Sequence, residues 1–180
     1  MKNKVNFKWL IQIVLISFSV SVVFTFASSE ILESAGYIIA FIVLAIFIAI
    51  GIVFDIIGVA VTTATPAPFH SMASHKERGA AEALRLMKNA EKVSSICNDV
   101  VGDISGIVSG STSAIIVANL MKDLSTESVL ISLVVSGLVA SLTIGGKALG
   151  KTVAMNSNTK IVLFVGKIMS VINRLFGKKR

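Results

Sequence analysis

Residues 36–61, GYIIAFIVLAIFIAIGIVFDIIGVAV, decide the fold class of this chain. A transmembrane helix needs about 20 predominantly apolar residues, and this stretch exceeds that length while carrying a single charge, Asp55. A charge at the centre of a membrane helix costs about 2.5–3.5 kcal/mol, so a carboxylate there requires a functional explanation. The stretch therefore predicts a membrane helix with a polar site near its carboxyl end.

The composition supports a membrane protein along the whole chain. Of the 180 residues, 54% are hydrophobic and 15% are charged, and the mean hydropathy is +0.84. Soluble domains carry about 25% charged residues. The net charge of +7 indicates cytosolic loops and contact with anionic lipid headgroups. Basic clusters with interleaved aromatic residues are absent, so nucleic acid is not an expected partner.

Three more apolar stretches accompany the first, at residues 9–27, 94–121 and 128–146. They predict an all-α membrane protein of about four transmembrane helices with juxtamembrane amphipathic helices. The predicted organisation has three parts: an N-terminal helix and outer loop at 1–35, a transmembrane domain at 36–157 with a cytosolic juxtamembrane helix at 69–92, and a basic interfacial helix and tail at 158–180.

The N-terminal stretch has two interpretations. It could be a signal peptide with a small-residue cleavage site at Thr25-Phe26-Ala27. Its apolar part is long for a signal peptide, in which that region spans about 7–15 residues. A retained helix is therefore favoured. Basic residues precede this helix and also lie in the loop at 76–92 and in the tail, so the positive-inside rule places both termini in the cytosol of a multi-pass plasma or inner membrane protein.

The predicted helix at residues 158–176 is amphipathic. Lys160, Lys167 and Arg174 recur every seven residues and share one face, while apolar residues cover the rest. Such a charged face favours a helix that lies in the membrane interface rather than one that crosses the bilayer.

The topology brings several polar residues to the inner half of the membrane. They come from the second, third and fourth spans. The expected ligand oxygens belong to carboxylate and amide side chains, to the hydroxyl of Thr143 and to carbonyl groups freed near glycine. Oxygen ligands of this kind suit Mg²⁺, Ca²⁺ or Mn²⁺. The predicted metal-site residues are Asp55, Asn98, Asp99, Gly102, Asp103, Thr143, Gly145 and Gly146. Spacing alone leaves an alternative equally open, in which the aspartates form structural ion pairs with Lys147 or Lys92.

Two segments carry a family resemblance. Residues 80–92, AAEALRLMKNAEK, resemble the juxtamembrane helix of the CNNM/CorB/CorC transmembrane domain, and residues 146–154, GKALGKTVA, resemble its segment after the last span. The likeness extends from about residue 51 to the carboxyl terminus. It implies a homodimeric module of three spans, joined here to one extra N-terminal helix, that transports Mg²⁺ or other divalent cations.

The resemblance also implies positions for the cation site. Asp55 stands where the family has a serine, and either Asn98-Asp99 or Gly102-Asp103 matches its Gly-Asn-Asn element. Gly146 matches a family glycine, whereas Lys147 replaces the glutamate that follows it and Gly150 replaces a proline. The cytosolic CBS domains of the family have no counterpart in these residues.

Other motifs are weaker. Residues 145–152, GGKALGKT, fit the P-loop pattern, but they follow an apolar span rather than a strand of an α/β domain. His70 and His75 are five residues apart and do not share a helix face, and Cys97 has no catalytic partner in the sequence. We therefore expect neither an enzyme nor a bound cofactor.

Two functions follow as hypotheses. The first is a divalent-cation transport module, with Mg²⁺ as the expected ion. The second is a non-transporting membrane interaction or regulatory protein that keeps the fold, has its site neutralised by Lys147 and pairs with a separate membrane or regulatory partner.

Overall fold

The computed structural model describes residues 7–33, 36–123, 125 and 129–175, and these residues form helices without any strand. Eight α-helices and one π-helical segment follow in chain order: α1 (Phe7–Glu33), α2 (Tyr37–Thr63), α3 (Pro66–Ser74), α4 (Ala80–Lys88), α5 (Ala90–Ser94), the π-helical segment (Ser95–Gly102), α6 (Asp103–Asp123), α7 (Val129–Asn156) and α8 (Asn158–Leu175).

The expected all-α membrane fold is confirmed. Among the described residues, four stretches are long and apolar enough to cross a membrane, namely Phe7–Glu30, Tyr37–Thr63, Ala90–Asp123 and Val129–Asn156. In lipid every backbone polar group needs an internal partner, which is why uninterrupted helices suit these stretches.

The helix boundaries differ from the sequence prediction in two places. The juxtamembrane segment forms three short helices, α3, α4 and α5. The chain turns between α3 and α4 at two residues with positive φ, Lys76 and Gly79, and the φ of +87° at Gly79 favours glycine. The fourth span continues ten residues past its predicted end at Gly146, to Asn156. Glycine is tolerated inside a membrane helix because breaking the helix would leave backbone groups unpaired.

The chain forms two compact units. The first contains the described parts of residues 1–52 and 99–146. In it, α1 packs along α6, and the side chains of Ile13, Val20 and Phe24 cover a buried cluster of Val100, Ile104 and Val108. Buried Ser28 and Thr112 also share a hydrogen bond of 3.2 Å between their hydroxyl oxygens. Helix α1 is thus a packed part of this unit.

The second unit contains the described parts of residues 53–98 and 147–180. Its core holds Ala60, Val61, Phe69, Ala83, Leu86, Ala154 and Val162. Helices α4 and α8 approach closely at two glycines, since a Cβ on Gly166 would lie 2.4 Å from the Gly79 carbonyl oxygen. Lys167 Nζ adds an exposed ion pair with Glu77 Oε1 at 3.6 Å. The amphipathic helix α8 is therefore held against the juxtamembrane helices along one face.

Candidate functional site

Asp55 is a buried carboxylate in the most apolar helix of the chain. Its side chain is 6% exposed, and its Oδ2 atom is buried without a hydrogen-bond partner. An ionised carboxylate in an apolar environment is costly unless a cation or several hydrogen bonds compensate it. The position of Asp55 thus demands a compensating group.

Asn98 lies against α2 one helical turn beyond Asp55. A Cβ on Gly58 would lie 2.0 Å from Asn98 Oδ1, so the side chain of Asn98 occupies the space left by that glycine. Residues three apart are neighbours on a helix surface, so Asp55 and Gly58 lie on the same side of α2. Asp55 and Asn98 therefore form a polar seam along one side of α2, about one helical turn apart.

The amide of Asn98 is oriented by a neighbour on its own helix. Asn98 Nδ2 donates a hydrogen bond to Ser94 Oγ at 3.2 Å, while Oδ1 is buried without a partner. The seam thus contains two buried oxygen acceptors, Asp55 Oδ2 and Asn98 Oδ1, neither of which receives a hydrogen bond. We call these two residues the Asp55–Asn98 seam.

The π-helical segment determines which polar side chains face this seam. Its hydrogen bonds run from each residue to the fifth along the chain, and such segments occur frequently at functional sites. Within it Gly102 is buried and Asn98 is half-buried, whereas Asp99 is exposed, as is Asp103 at the start of α6. Of the three polar residues predicted on this span, the structure places Asn98 at the seam and the two aspartates on the exposed surface.

Three predicted site residues lie on α7. Thr143 is half-buried, and its hydroxyl donates to the Val139 carbonyl at 2.8 Å. A Cβ on Gly146 would lie 2.3 Å from Ile52 Cδ1, so this glycine allows α7 to pack against α2. The prediction of carbonyl groups freed near Gly145 and Gly146 is wrong, because α7 runs through both residues as an unbroken helix.

Lys147 does not neutralise Asp55 in the described structure. Its side chain is half-buried, and no salt bridge joins it to Asp55. The described residues also contain no group of three or more His, Cys, Asp or Glu side chains placed to hold a metal ion. A cation at the seam would thus combine one carboxylate with neutral oxygen ligands.

Among the remaining sequence motifs, Cys97 is adjacent to Asn98 in the chain, whereas the others are distant from both seam residues. The P-loop-like residues 145–152 are part of α7 and form no loop. His70 and His75 are exposed, on α3 and at its carboxyl end, and Cys97 is buried in the π-helical segment.

Sequence reasoning did not identify Gly58 as a site residue. The glycine leaves the space in which Asn98 approaches α2, and a glycine three residues after a buried carboxylate was the available signal. The π-helical geometry had no comparable signal in the sequence.

No protein-family model, curated protein sequence or solved structure matches this chain. The resemblance to the CNNM/CorB/CorC transmembrane domain therefore remains a prediction carried by the residues quoted for it.

Proposed function

We propose that this chain is an integral membrane module that binds and transports a divalent cation, with Mg²⁺ as the first candidate, at the Asp55–Asn98 seam. The observation that carries the proposal is the pair of buried oxygen atoms, Asp55 Oδ2 and Asn98 Oδ1, that have no hydrogen-bond donor. A cation would compensate the carboxylate and use the amide oxygen as a neutral ligand.

The ligand chemistry favours Mg²⁺ over ions that need a protein cage. Mg²⁺ is reluctant to lose water and is usually held by one or two carboxylates together with several water molecules. One carboxylate and one amide oxygen therefore suffice as protein ligands, whereas Zn²⁺ prefers histidine and cysteine. Gly102, Thr143, Gly145 and Gly146 are then packing positions rather than direct ligands in this proposal.

The exposed aspartates support a homodimer. Asp99 and Asp103 lie within the apolar stretch Ala90–Asp123, yet both are exposed on the single chain. Charges facing lipid at membrane depth are unfavourable, so a second copy or a water-filled space between copies is the expected neighbour. In this assembly the two aspartates would increase the negative potential that attracts cations.

The proposed placement in the membrane follows from the basic residues. The loop and tail that carry most lysine and arginine residues would face the cytosol, and both termini would lie on that side. Anionic headgroups at this surface would be the lipid partners of α8.

Mg²⁺-dependent stabilisation of the purified protein tests the binding step. A ligand that binds only the folded state stabilises it by about 2.7 kcal/mol at 100 times its dissociation constant. We expect MgCl₂ to raise the melting temperature of the wild-type protein and of Glu30→Gln, which changes an exposed carboxylate outside the seam, but not that of Asp55→Asn. Mg²⁺ uptake into proteoliposomes should likewise be retained in the wild-type protein and the control variant and lost in Asp55→Asn.

The second function, a non-transporting interaction protein, predicts the opposite outcome for Mg²⁺-dependent stabilisation and uptake. Absence of any metal-dependent stabilisation in the wild type, together with stable co-purification of another membrane protein, would replace the transport proposal with this one. The exposed aspartates of the third span would then contact that partner.

A further inference from the structure

A row of hydroxyl groups is buried along one face of α6. Ser105, Ser109, Thr112 and Ser113 are each at most 3% exposed. Each of them lies three or four residues from another member of the set, so all four follow one side of the helix. We call these four residues the hydroxyl row, and all of them belong to the first compact unit.

Two members of the row have no hydrogen-bond partner. Ser109 Oγ donates to the Gly106 carbonyl at 3.0 Å, and Thr112 shares its hydroxyl with Ser28. Ser105 Oγ and Ser113 Oγ are buried without a partner. A buried polar group without a partner costs about 1–3 kcal/mol, so packing alone does not explain hydroxyl groups at these two positions.

The row leads towards a cavity at the end of the unit. This cavity measures about 240 Å³ and is lined by Gly36, Tyr37, Ala40, Ile115, Ile116, Asn119, Lys122 and Asp123. Tyr37 donates its hydroxyl hydrogen to Asp123 Oδ2 at 2.5 Å, and a charged lysine lies beside them. The cavity therefore offers polar groups to water and ions.

An apolar contact separates the cavity from the row. Ile116 is 2% exposed and packs with Ala40 and Leu44 of α2 in a small buried cluster. It also lines the cavity, and it follows Thr112 by one helical turn. The cavity, an apolar constriction and the hydroxyl row thus succeed one another along the same side of α6.

We propose that the hydroxyl row is a path for water and a hydrated cation, and that Ile116 and Leu44 close it from the Tyr37–Asp123 cavity. Hydroxyl groups accept from water and offer oxygen to a cation without adding charge, and apolar constrictions gate pores by excluding water. This inference rests on the proposed function, which supplies the cation that the path would carry.

Cysteine accessibility tests the path without requiring cation transport. In a Cys97→Ser background, Ser109→Cys reports on the row, and Ile116→Ser opens the constriction. The probe is a small water-soluble thiol reagent added to the reconstituted protein. We expect Ser109→Cys to be modified at least about tenfold faster when Ile116→Ser is present, which corresponds to about 1.4 kcal/mol.

Ile107→Cys is the matched control on the same helix, because its side chain is 61% exposed on the opposite face. Its modification rate should not change with Ile116→Ser. Equal rates at Ser109→Cys with and without Ile116→Ser, or no modification in either protein, would overturn the proposed path.

A second readout uses the unpartnered hydroxyl of Ser113. Ser113→Ala should lower the rate of Mg²⁺ uptake while keeping Mg²⁺-dependent stabilisation. The hydroxyl of Ser111 already donates to the Val108 carbonyl at 2.9 Å, so the control variant Ser111→Ala should leave uptake unchanged. Uptake that is unchanged in Ser113→Ala would count against the path.

The two proposals fail separately. Loss of Mg²⁺ stabilisation in Asp55→Asn with an unreactive Ser109→Cys would overturn the path alone. A gated, reactive Ser109→Cys in a protein that Mg²⁺ does not stabilise would retain the path and overturn the Mg²⁺ site.

Discussion

The residue that organises this protein is Asp55, because its carboxylate is buried in an apolar helix without a hydrogen bond to Oδ2. A single charge in a long apolar stretch is visible in the sequence, and so is the polar residue Asn98. The packing of Asn98 against α2, one helical turn from Asp55, was not visible, because it depends on the space at Gly58. Sequence thus predicted the chemical groups, and packing determined which of them meet.

Replacing Asp55 by asparagine should stabilise the protein when no divalent cation is present. The amide removes the buried charge, whose cost in a membrane helix is about 2.5–3.5 kcal/mol, and it can donate to an acceptor such as Asn98 Oδ1. Thermal unfolding in EDTA measures the change, with Glu30→Gln, at an exposed carboxylate, as the control that should change little. A lower melting temperature for Asp55→Asn would show that the carboxylate is compensated within the protein.

Enlarging Gly58 should displace Asn98 from the seam. The Cβ of Gly58→Ala would lie 2.0 Å from Asn98 Oδ1, so the amide must move. We expect a loss of Mg²⁺-dependent stabilisation in this variant. Gly106→Ala is the matched control, since no atom lies within 4 Å of its Cβ position and alanine favours a helix by up to about 1 kcal/mol. Normal Mg²⁺ stabilisation in Gly58→Ala would remove Asn98 from the proposed site.

At the scale of elements, apolar length and charge predicted the four spans. The sequence pattern did not predict the π-helical segment or the break between α3 and α4. The predicted metal ligands Asp99 and Asp103 are both exposed on the single chain. A π-helical turn takes more residues than an α-helical turn, so positions after it rotate relative to an α-helical register. The missed break between α3 and α4 has a similar origin, because two residues with positive φ, Lys76 and Gly79, separate these helices.

We expect helix α8 to lie on the membrane surface with one of its faces inserted into the lipid. Val162 and Gly166 are buried within the second unit, whereas Phe164, Ile168 and Leu175 are exposed on another face beside the basic residues. In a Trp9→Phe background, the fluorescence of Phe164→Trp should be quenched by brominated acyl chains in vesicles that contain anionic lipid.

Lys160→Trp is the control on the basic face of the same helix, and its quenching should be weaker. Equal quenching at both positions would contradict an apolar face inserted into the lipid.

At the scale of the whole molecule, one exposed side of α6 combines small residues with a carboxylate. The exposed residues Asp103, Gly110, Ala114 and Ala118 follow one side of this helix, and among the described residues no atom beyond the local helix backbone lies within 4 Å of a Cβ placed on Gly110. Small residues four apart allow two membrane helices to approach closely. A second copy on this face would also cover the carboxylates that the single chain leaves exposed.

Cross-linking tests this arrangement in the reconstituted protein. In a Cys97→Ser background, Gly110→Cys should form a covalent dimer on mild oxidation, because a disulfide requires Cα atoms within about 7 Å. Val134→Cys on α7 is the control, since its side chain is 59% exposed to the surroundings but lies on another helix. Cross-linking of Val134→Cys without that of Gly110→Cys would move the interface to α7 and leave the charges of Asp99 and Asp103 without a protein neighbour. A dimer through α6 would instead bring four carboxylates, two from each copy, to one interface, where cations would concentrate.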